Sequence, residues 1–395
     1  MSTAATAAII LAGISLTAGL FILLVLIFLG FAALLVYWFL AVIWRPRHKA
    51  PGTLSLQKHR GNPILRPEPT HWWESEAVFN PAAFVHNGSV HMLYRAIGHD
   101  GASRIGYAKS HDGVHFTRSD APAYDPSAEI LERAKKGRLK KLSYETLSYS
   151  PASYGSGGGW GGSEDPRAVV IDEEVYMTFT SFEGWNNVRM MMAALDLQDL
   201  DAGIFNWHKG IYLSSPGQVQ KNWVLFPEKV TGKYALLHNI YPNIEIAYFD
   251  PEHIGDSAYI TSHFERHTRK GHWDTWVRGA GTPPLKTSEG WLLLYHATDE
   301  KEPQKYKVGA MLLDLNDPTR ILYRSENPIL EPNEWYENDW KPGVVYASGA
   351  VIFNDDLIVY YGGGDKYIGA AKVNLKKFLH SLKTHTDTGL MDVQV

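Results

Sequence analysis

Beyond residue 50 the chain reads as short runs of alternating apolar and polar side chains, separated by Gly, Pro, Asn and Asp. That is the pattern of half-buried strands and tight turns. One unit recurs: a Pro or Gly start, small and apolar residues, an acidic or Gly turn, an aromatic-rich strand, then a strand of small residues. Its copies are residues 80–94 with 103–108, 165–179 with 189–194, 225–238 with 244–248, 281–295 with 307–311, and 348–361 with 367–371. The spacing, about 60 residues and wider between the first two, suits propeller blades with long loops. The expected fold is therefore all-β, a five-bladed β-propeller over residues 51–395. A second echo supports ring closure: Gly61-Asn-Pro-Ile-Leu65 returns as Glu326-Asn-Pro-Ile-Leu330 before the last copy. Helix is expected only at 128–141 and 375–382.

Residues 5–44 break the alternation, because they contain no charged side chain. A bilayer span needs about 20 apolar residues, so residues 1–50 are expected to form a transmembrane segment with a basic flank. One long tilted span and a hairpin of two both fit the length. Tyr37, Trp38 and Trp44 suit an interface belt, and Arg45-Pro-Arg-His-Lys49 follows them. By the positive-inside rule the catalytic domain is expected on the cytoplasmic face of the membrane.

Composition removes other readings. A formal net charge of −4 gives nucleic acid no reason to bind, and the basic run 133–141 reads as a solvated helix or loop face. There is no cysteine, hence no disulfide, no thiolate nucleophile and no Cys-based zinc site. No His/Asp/Glu spacing matches a recognised metal motif.

In a propeller the inner strand of each copy starts toward the central channel. Asn80, Asp165, the stretch including Lys221, Gly281 with Thr282, and Ser348 share that phase, and Arg95, Arg189, His238, His296 and Asp365 stand one strand further on. Carboxylates and arginines hydrogen-bond sugar hydroxyls, and the 13 Trp and 21 Tyr offer faces for pyranose rings or for packing. Asp165, in Glu164-Asp-Pro-Arg167, is the carboxylate that stands out. Pro166 restricts the residue before it, which predicts an extended Asp165, and a carboxyl with fixed geometry suits general acid catalysis. The plain alternative is a Glu164–Arg167 surface salt bridge worth about 0–1 kcal/mol; the channel-facing phase favours the chemical role.

Together these segments resemble glycoside hydrolase family 130, five-bladed propellers that include β-mannoside phosphorylases. The carriers are Gly61-Asn-Pro-Ile-Leu65, Val78-Phe-Asn-Pro-Ala-Ala83, Leu93-Tyr-Arg-Ala96, Ser103-Arg-Ile-Gly-Tyr-Ala-Lys-Ser-His-Asp-Gly113, Glu164-Asp-Pro-Arg167, Gly281-Thr-Pro-Pro284, Leu294-Tyr-His296 and Tyr360-Tyr-Gly-Gly-Gly-Asp365. The resemblance implies that Asp165 is a general acid protonating the glycosidic oxygen through a hydroxyl of the sugar. It implies that Arg95, Ser103 and Asp365 hold the mannosyl unit and that Arg189, Lys221 and His238 bind phosphate; Asn80, Thr282 and His296, from their places in the repeat, and Arg167, beside Asp165, are the other substrate-binding candidates. The product of such an inverting attack on a β-mannoside is α-mannose 1-phosphate. The expected partners are an oligosaccharide, inorganic phosphate as co-substrate and a bilayer through residues 5–44; no metal or organic cofactor is required. One departure concerns the phosphate: many phosphorylases of the family have Leu-His-Arg where this chain has Leu237-His-Asn239. An inverting β-mannosidase using water is the alternative, with Glu245 either its base or a plain strand residue. A membrane-tethered propeller without catalysis is the alternative of another class. His272, beside Trp273, is read either as lining an acceptor subsite or as packing.

Overall fold

The computed structural model describes residues 24–25, 27–36, 54–139, 147–254, 258–262 and 268–386. The chain divides into two compact units, Met1–Gly52 and Thr53–Val395. In the first, residues 24–25 and 27–36 are helical. The remainder of the apolar segment 5–44 and its basic flank lie outside the described residues. No helix among the described residues is long and apolar enough to cross a membrane.

The second unit is mostly β with few helices, and its strands form five antiparallel meanders. The first holds β2 (Ala77–His86), β3 (Ser89–Ile97), β4 (Ala102–Ser110) and β5 (Thr117–Arg118); the short β1 (Gln57–Lys58) precedes it and pairs elsewhere. The second holds β6 (Gly161–Ile171), β7 (Glu174–Phe182), β8 (Val188–Asp196) and β9 (His208–Tyr212). The third holds β10 (Val224–Leu225), β11 (Tyr234–Asn239) and β12 (Glu245–Phe249). The fourth holds β13 (Trp276–Ala280), β14 (Leu285–Thr287), β15 (Gly290–Thr298), β16 (Lys307–Leu313) and β17 (Ile321–Arg324). The fifth holds β18 (Val345–Phe353), β19 (Asp356–Gly363) and β20 (Tyr367–Asn374). The first two meanders join into one sheet through a parallel bridge of Ala102 and Ser103 to Gly161 and Gly162.

The first strand of the unit pairs with its last, β1 running antiparallel to β20 of the fifth meander. The two Asn-Pro-Ile-Leu segments do the same work in different sheets. Leu65 bridges Ile368 of β20, and Leu330 bridges Val308 of β16. Strand β2 packs against both β18 and β6, and β6 against β10. Apolar side chains of successive meanders pack into each other between these strands, for example Ala82, Leu93, Met177 and Phe179 in one cluster. Each fully buried large aliphatic side chain of this kind stabilises by roughly 1.5–3 kcal/mol.

Helices occur at Ala128–Leu139 and Leu375–Thr384, with a short one at Leu197–Asp201 that the sequence pattern does not single out. The basic run 133–141 begins on the first of these. Arg133 there pairs with Glu183 at 2.6 Å, while Lys140 and Lys141 lie outside the described residues.

Candidate active site

In two strands the ladder loses register over a proline, at the same phase of their meanders. In β2 the ladder skips from Phe79 to Ala82, and in β6 from Glu164 to Arg167. Each gap holds one residue followed by a proline, Asn80-Pro81 and Asp165-Pro166. Proline has no N–H to give the ladder, so a bulge accommodates it. The extended Asp165 expected from Pro166 is not what forms: its φ is 51°, and Asn80 has 48°. A bulge bends the strand locally, and Asn and Asp are the L-residues that enter the left-handed region most readily, at roughly 1–2 kcal/mol. Asp365, in the turn after β19, has φ 54°. Three of the expected site residues thus sit on unusual backbone, which aims their side chains independently of the strand alternation.

Asp165 is buried, and Asn80 Nδ2 donates to its Oδ1 at 2.8 Å. Arg95 Nη1 approaches the same oxygen at 3.5 Å. Arg167 turns inward, donating from Nη1 to the Asp165 carbonyl at 2.9 Å and from Nε to the Gly281 carbonyl. Burial pushes the Asp165 carboxyl up, but the charges of Arg95, Lys221 and Arg167 and the Asn80 hydrogen bond outweigh it and hold it at about 2. The surface salt bridge between Glu164 and Arg167, the plain alternative to a chemical role, does not form. Glu164 is fully buried and takes Arg95 Nη2 at 2.8 Å instead.

Ser103 Oγ accepts from Arg95 Nε and Nη2 at 3.2 and 3.0 Å. Ser156 Oγ donates to Glu164, and its carbonyl accepts from Arg95 Nη2 at 2.8 Å. A glycine-rich loop makes this approach possible. A Cβ on Gly159 would lie 2.8 Å from Ser103 Oγ, and one on Gly162 would lie 2.3 Å from the Ser103 carbonyl oxygen.

His296 is buried, stacks on Tyr346 at 3.8 Å and donates from Nε2 to the Ala347 carbonyl at 2.7 Å. Burial, with Arg167 adding to it, lowers its pKa to about 3, so the ring is neutral. Asp165 also lies within the electrostatic reach of both His296 and Tyr346. Thr282 Oγ1, Ser348 Oγ, Ser163 Oγ and Asn80 Oδ1 are buried with no hydrogen-bond partner among the described residues. Asp365 accepts from Lys341 at 2.6 Å. Tyr149, which feels both Arg95 and Asp365, stacks on Trp340.

Arg189 and His238 are placed differently. Arg189 donates twice to the Ser214 carbonyl, at 3.0 and 2.8 Å, and its guanidinium lies 3.6 Å from the Tyr212 ring. His238 packs beside Trp223, with Nδ1 3.6 Å from Glu245. Among the described residues neither makes a hydrogen bond or ion pair to the Asp165 group. Glu245 opens β12 as a strand residue facing Asn239, and Trp273 stacks on Tyr295 in a packing role. Glu174, Asp196 and His208 bring one ligand atom each within 4.8 Å of one another. That group lies at the opposite end of β7 from Thr180, which faces Glu164.

Sequence reasoning missed Ser156, Asn222 and Tyr346. Ser156 was signalled only by the glycines around it, and Tyr346 only by standing two residues before Ser348. Asn222, whose Oδ1 accepts from the Tyr346 hydroxyl at 2.5 Å, had no signal beyond its neighbour Lys221.

A family model described as β-1,4-mannooligosaccharide phosphorylase matches residues 131–384. The chain is 36% identical over 340 residues to the β-1,2-mannobiose phosphorylase of Thermoanaerobacter sp. (strain X514), covering 82% of this chain and 98% of that one. It is 35% identical over 335 residues to the 1,2-β-oligomannan phosphorylase of the same organism, with the same coverage. Among solved structures, the β-1,2-mannobiose phosphorylase of Listeria innocua in complex with β-1,2-mannobiose aligns at a TM-score of 0.61 and 26% identity. That alignment covers 83% of this chain and 99% of the other.

Proposed function

The chain belongs to glycoside hydrolase family 130, and from that membership we propose that it is a β-mannoside phosphorylase, cutting β-1,2-linked manno-oligosaccharides with inorganic phosphate. The observation that carries the reading is the Asp165 carboxyl, buried among Arg95, Arg167 and Lys221. A carboxyl so placed is rigid, and the cations beside it suit an anionic co-substrate. The β-1,2 linkage follows the two relatives at 35 and 36% identity, both named for β-1,2-mannosides.

In this reading the mannosyl unit lies over Asn80, Arg95, Ser103, Thr282, His296 and Asp365, with Arg167 holding the Asp165 backbone. Asp165 passes a proton, through a sugar hydroxyl, to the glycosidic oxygen as that carbon–oxygen bond breaks. A phosphate oxygen, drawn by Lys221 and further by Arg189 and His238, forms the new bond from the opposite face. The configuration inverts, and the P–OH proton of the attacking hydrogen phosphate restores the acid. Phosphate is a substrate here, and the scheme requires no other cofactor.

The five meanders are proposed to be the blades of a closed propeller, supported by the β1–β20 pairing and by β2 lying between β18 and β6. A bilayer anchor with the catalytic unit on the cytoplasmic side is proposed for residues 5–44. It is supported by the absence of charge there and by the exposure of Ile27, Phe28, Phe31 and Leu34 around the helical stretch.

The test is a panel of β-1,2-, β-1,3- and β-1,4-mannobiose, each with and without phosphate. Cleavage of the β-1,2 isomer only when phosphate is present is expected. Preference for another isomer would overturn the linkage, and equal cleavage without phosphate would overturn phosphorolysis.

A further inference from the structure

Glu164 is fully buried with both carboxylate oxygens taken by Arg95, Ser156 and Lys221, and it stands between the two halves of the proposed reaction. Its Oε1 accepts from Arg95 Nη2 at 2.8 Å, while the same guanidinium keeps 3.5 Å from Asp165. Its Oε2 lies 3.4 Å from Lys221 Nζ, a half-buried ammonium that also faces the Phe182 and Trp185 rings. Ser156 Oγ donates to both oxygens, at 3.0 and 2.8 Å, and fixes the carboxylate between the cations. In the contest for Arg95, Glu164 therefore holds the short bond and Asp165 the loose one. Lys221 is held only loosely, within reach of a second anion.

We propose that Glu164 is a positioning residue that divides Arg95 and Lys221 between itself and the reacting groups. By drawing Arg95 off Asp165 it leaves the acid able to take up its proton, and by tethering Lys221 it limits how tightly phosphate is bound. The charged and titratable groups facing the pair are Arg95 from β3, Arg167 from β6 itself, Lys221 from the segment before β10, His296 from β15 and Tyr346 from β18. Removing the Glu164 charge raises the net positive charge of the site by one. This strengthens the hold on a phosphate dianion and disfavours the protonated acid together.

The experiment is steady-state kinetics of Glu164→Gln on β-1,2-mannobiose over a range of phosphate concentration and pH. The expected result is a split: kcat lower by about tenfold, KM for phosphate lower severalfold, and the basic limb of the kcat profile moved down by roughly one pH unit. Phosphate's own titration is common to wild type and variant, so the difference between profiles is what is read. Glu164→Asp keeps the charge and leaves that limb where the wild type has it. An unmoved limb with KM for phosphate unchanged or raised in Glu164→Gln would overturn the proposal. Should that variant not fold, Lys221→Gln carries the test with the opposite signs, a higher KM for phosphate and a limb moved to higher pH, and an unmoved limb defeats it. The inference rests on the phosphorylase reading. A wild type indifferent to phosphate defeats both, whereas a phosphate-dependent wild type with unmoved variants defeats only this one.

Discussion

At Asp165 two demands conflict. A general acid, the role proposed for Asp165, needs a proton at neutral pH, yet the cations around this carboxyl hold it at about 2. In the proposed reaction a phosphate dianion at these cations offsets their charge and favours the protonated acid. Asp165→Asn is expected to lower turnover by about 10²–10⁴-fold while the chain still folds, since Asn also tolerates the left-handed backbone. Because the folded pKa lies below the ordinary carboxylate value, the stabilisation is present above about pH 4 and is lost as pH falls toward 2. Asp165→Asn is accordingly expected to lower stability by about 2 kcal/mol at pH 7, the gap narrowing by pH 3, as urea unfolding at the two pH values would reveal. The repeat made Asp165 legible, since its phase placed it with Asn80. Its backbone was not legible, because the pre-proline rule describes an ordinary strand and this one is bulged. The full burial of Glu164 was not legible either, because charge in sequence carries no information on burial.

Among the elements, three meanders share one device that no single segment reveals. Tyr94, Tyr295 and Tyr361 donate to the buried carboxylates Glu74, Asp274 and Glu337 at 2.7, 2.8 and 2.9 Å. Arg118, Arg324 and Lys58 neutralise those carboxylates. Each tyrosine ring lies over a glycine of the next strand, where a Cβ would come within 2.4 Å at Gly106 and Gly309 and 2.6 Å at Gly369. The tyrosines and glycines are visible in the repeat. The carboxylates are not, because they sit in connecting segments 20 to 24 residues upstream. Tyr295→Phe removes one hydrogen bond from buried Asp274 and is expected to cost about 1–3 kcal/mol without changing KM, measured by thermal unfolding and kinetics in parallel. Gly309→Ala forces backbone or ring to move and is expected to cost more. A Tyr295→Phe variant as stable as wild type would show that Arg324 and Arg269 satisfy the carboxylate without the tyrosine.

For the molecule as a whole, the order of strands was largely legible, and the exceptions are instructive. The inner strand of the third meander has only Val224 and Leu225, and that of the fourth begins at Trp276, before the expected start. Strand limits depend on the partner across the ladder, which sequence periodicity does not supply. The Asn-Pro-Ile-Leu echo, taken from the sequence as a sign of ring closure, marks two segments that each bridge a third strand, Leu65 to Ile368 and Leu330 to Val308. A chain beginning at Pro67 lacks β1 and leaves Ile368 without Leu65. It is expected to lose cooperative unfolding, whereas one beginning at Thr53 keeps it and keeps turnover; calorimetry of the two distinguishes them. The proposed chemistry of the site depends on phosphate being the group that receives the mannosyl unit. The most direct measurement is a proton and phosphorus NMR time course of β-1,2-mannobiose with the enzyme and phosphate. Equal amounts of mannose and α-mannose 1-phosphate are predicted from the first turnovers; two mannoses with no phosphate ester, or the β-anomer of the ester, would contradict the account.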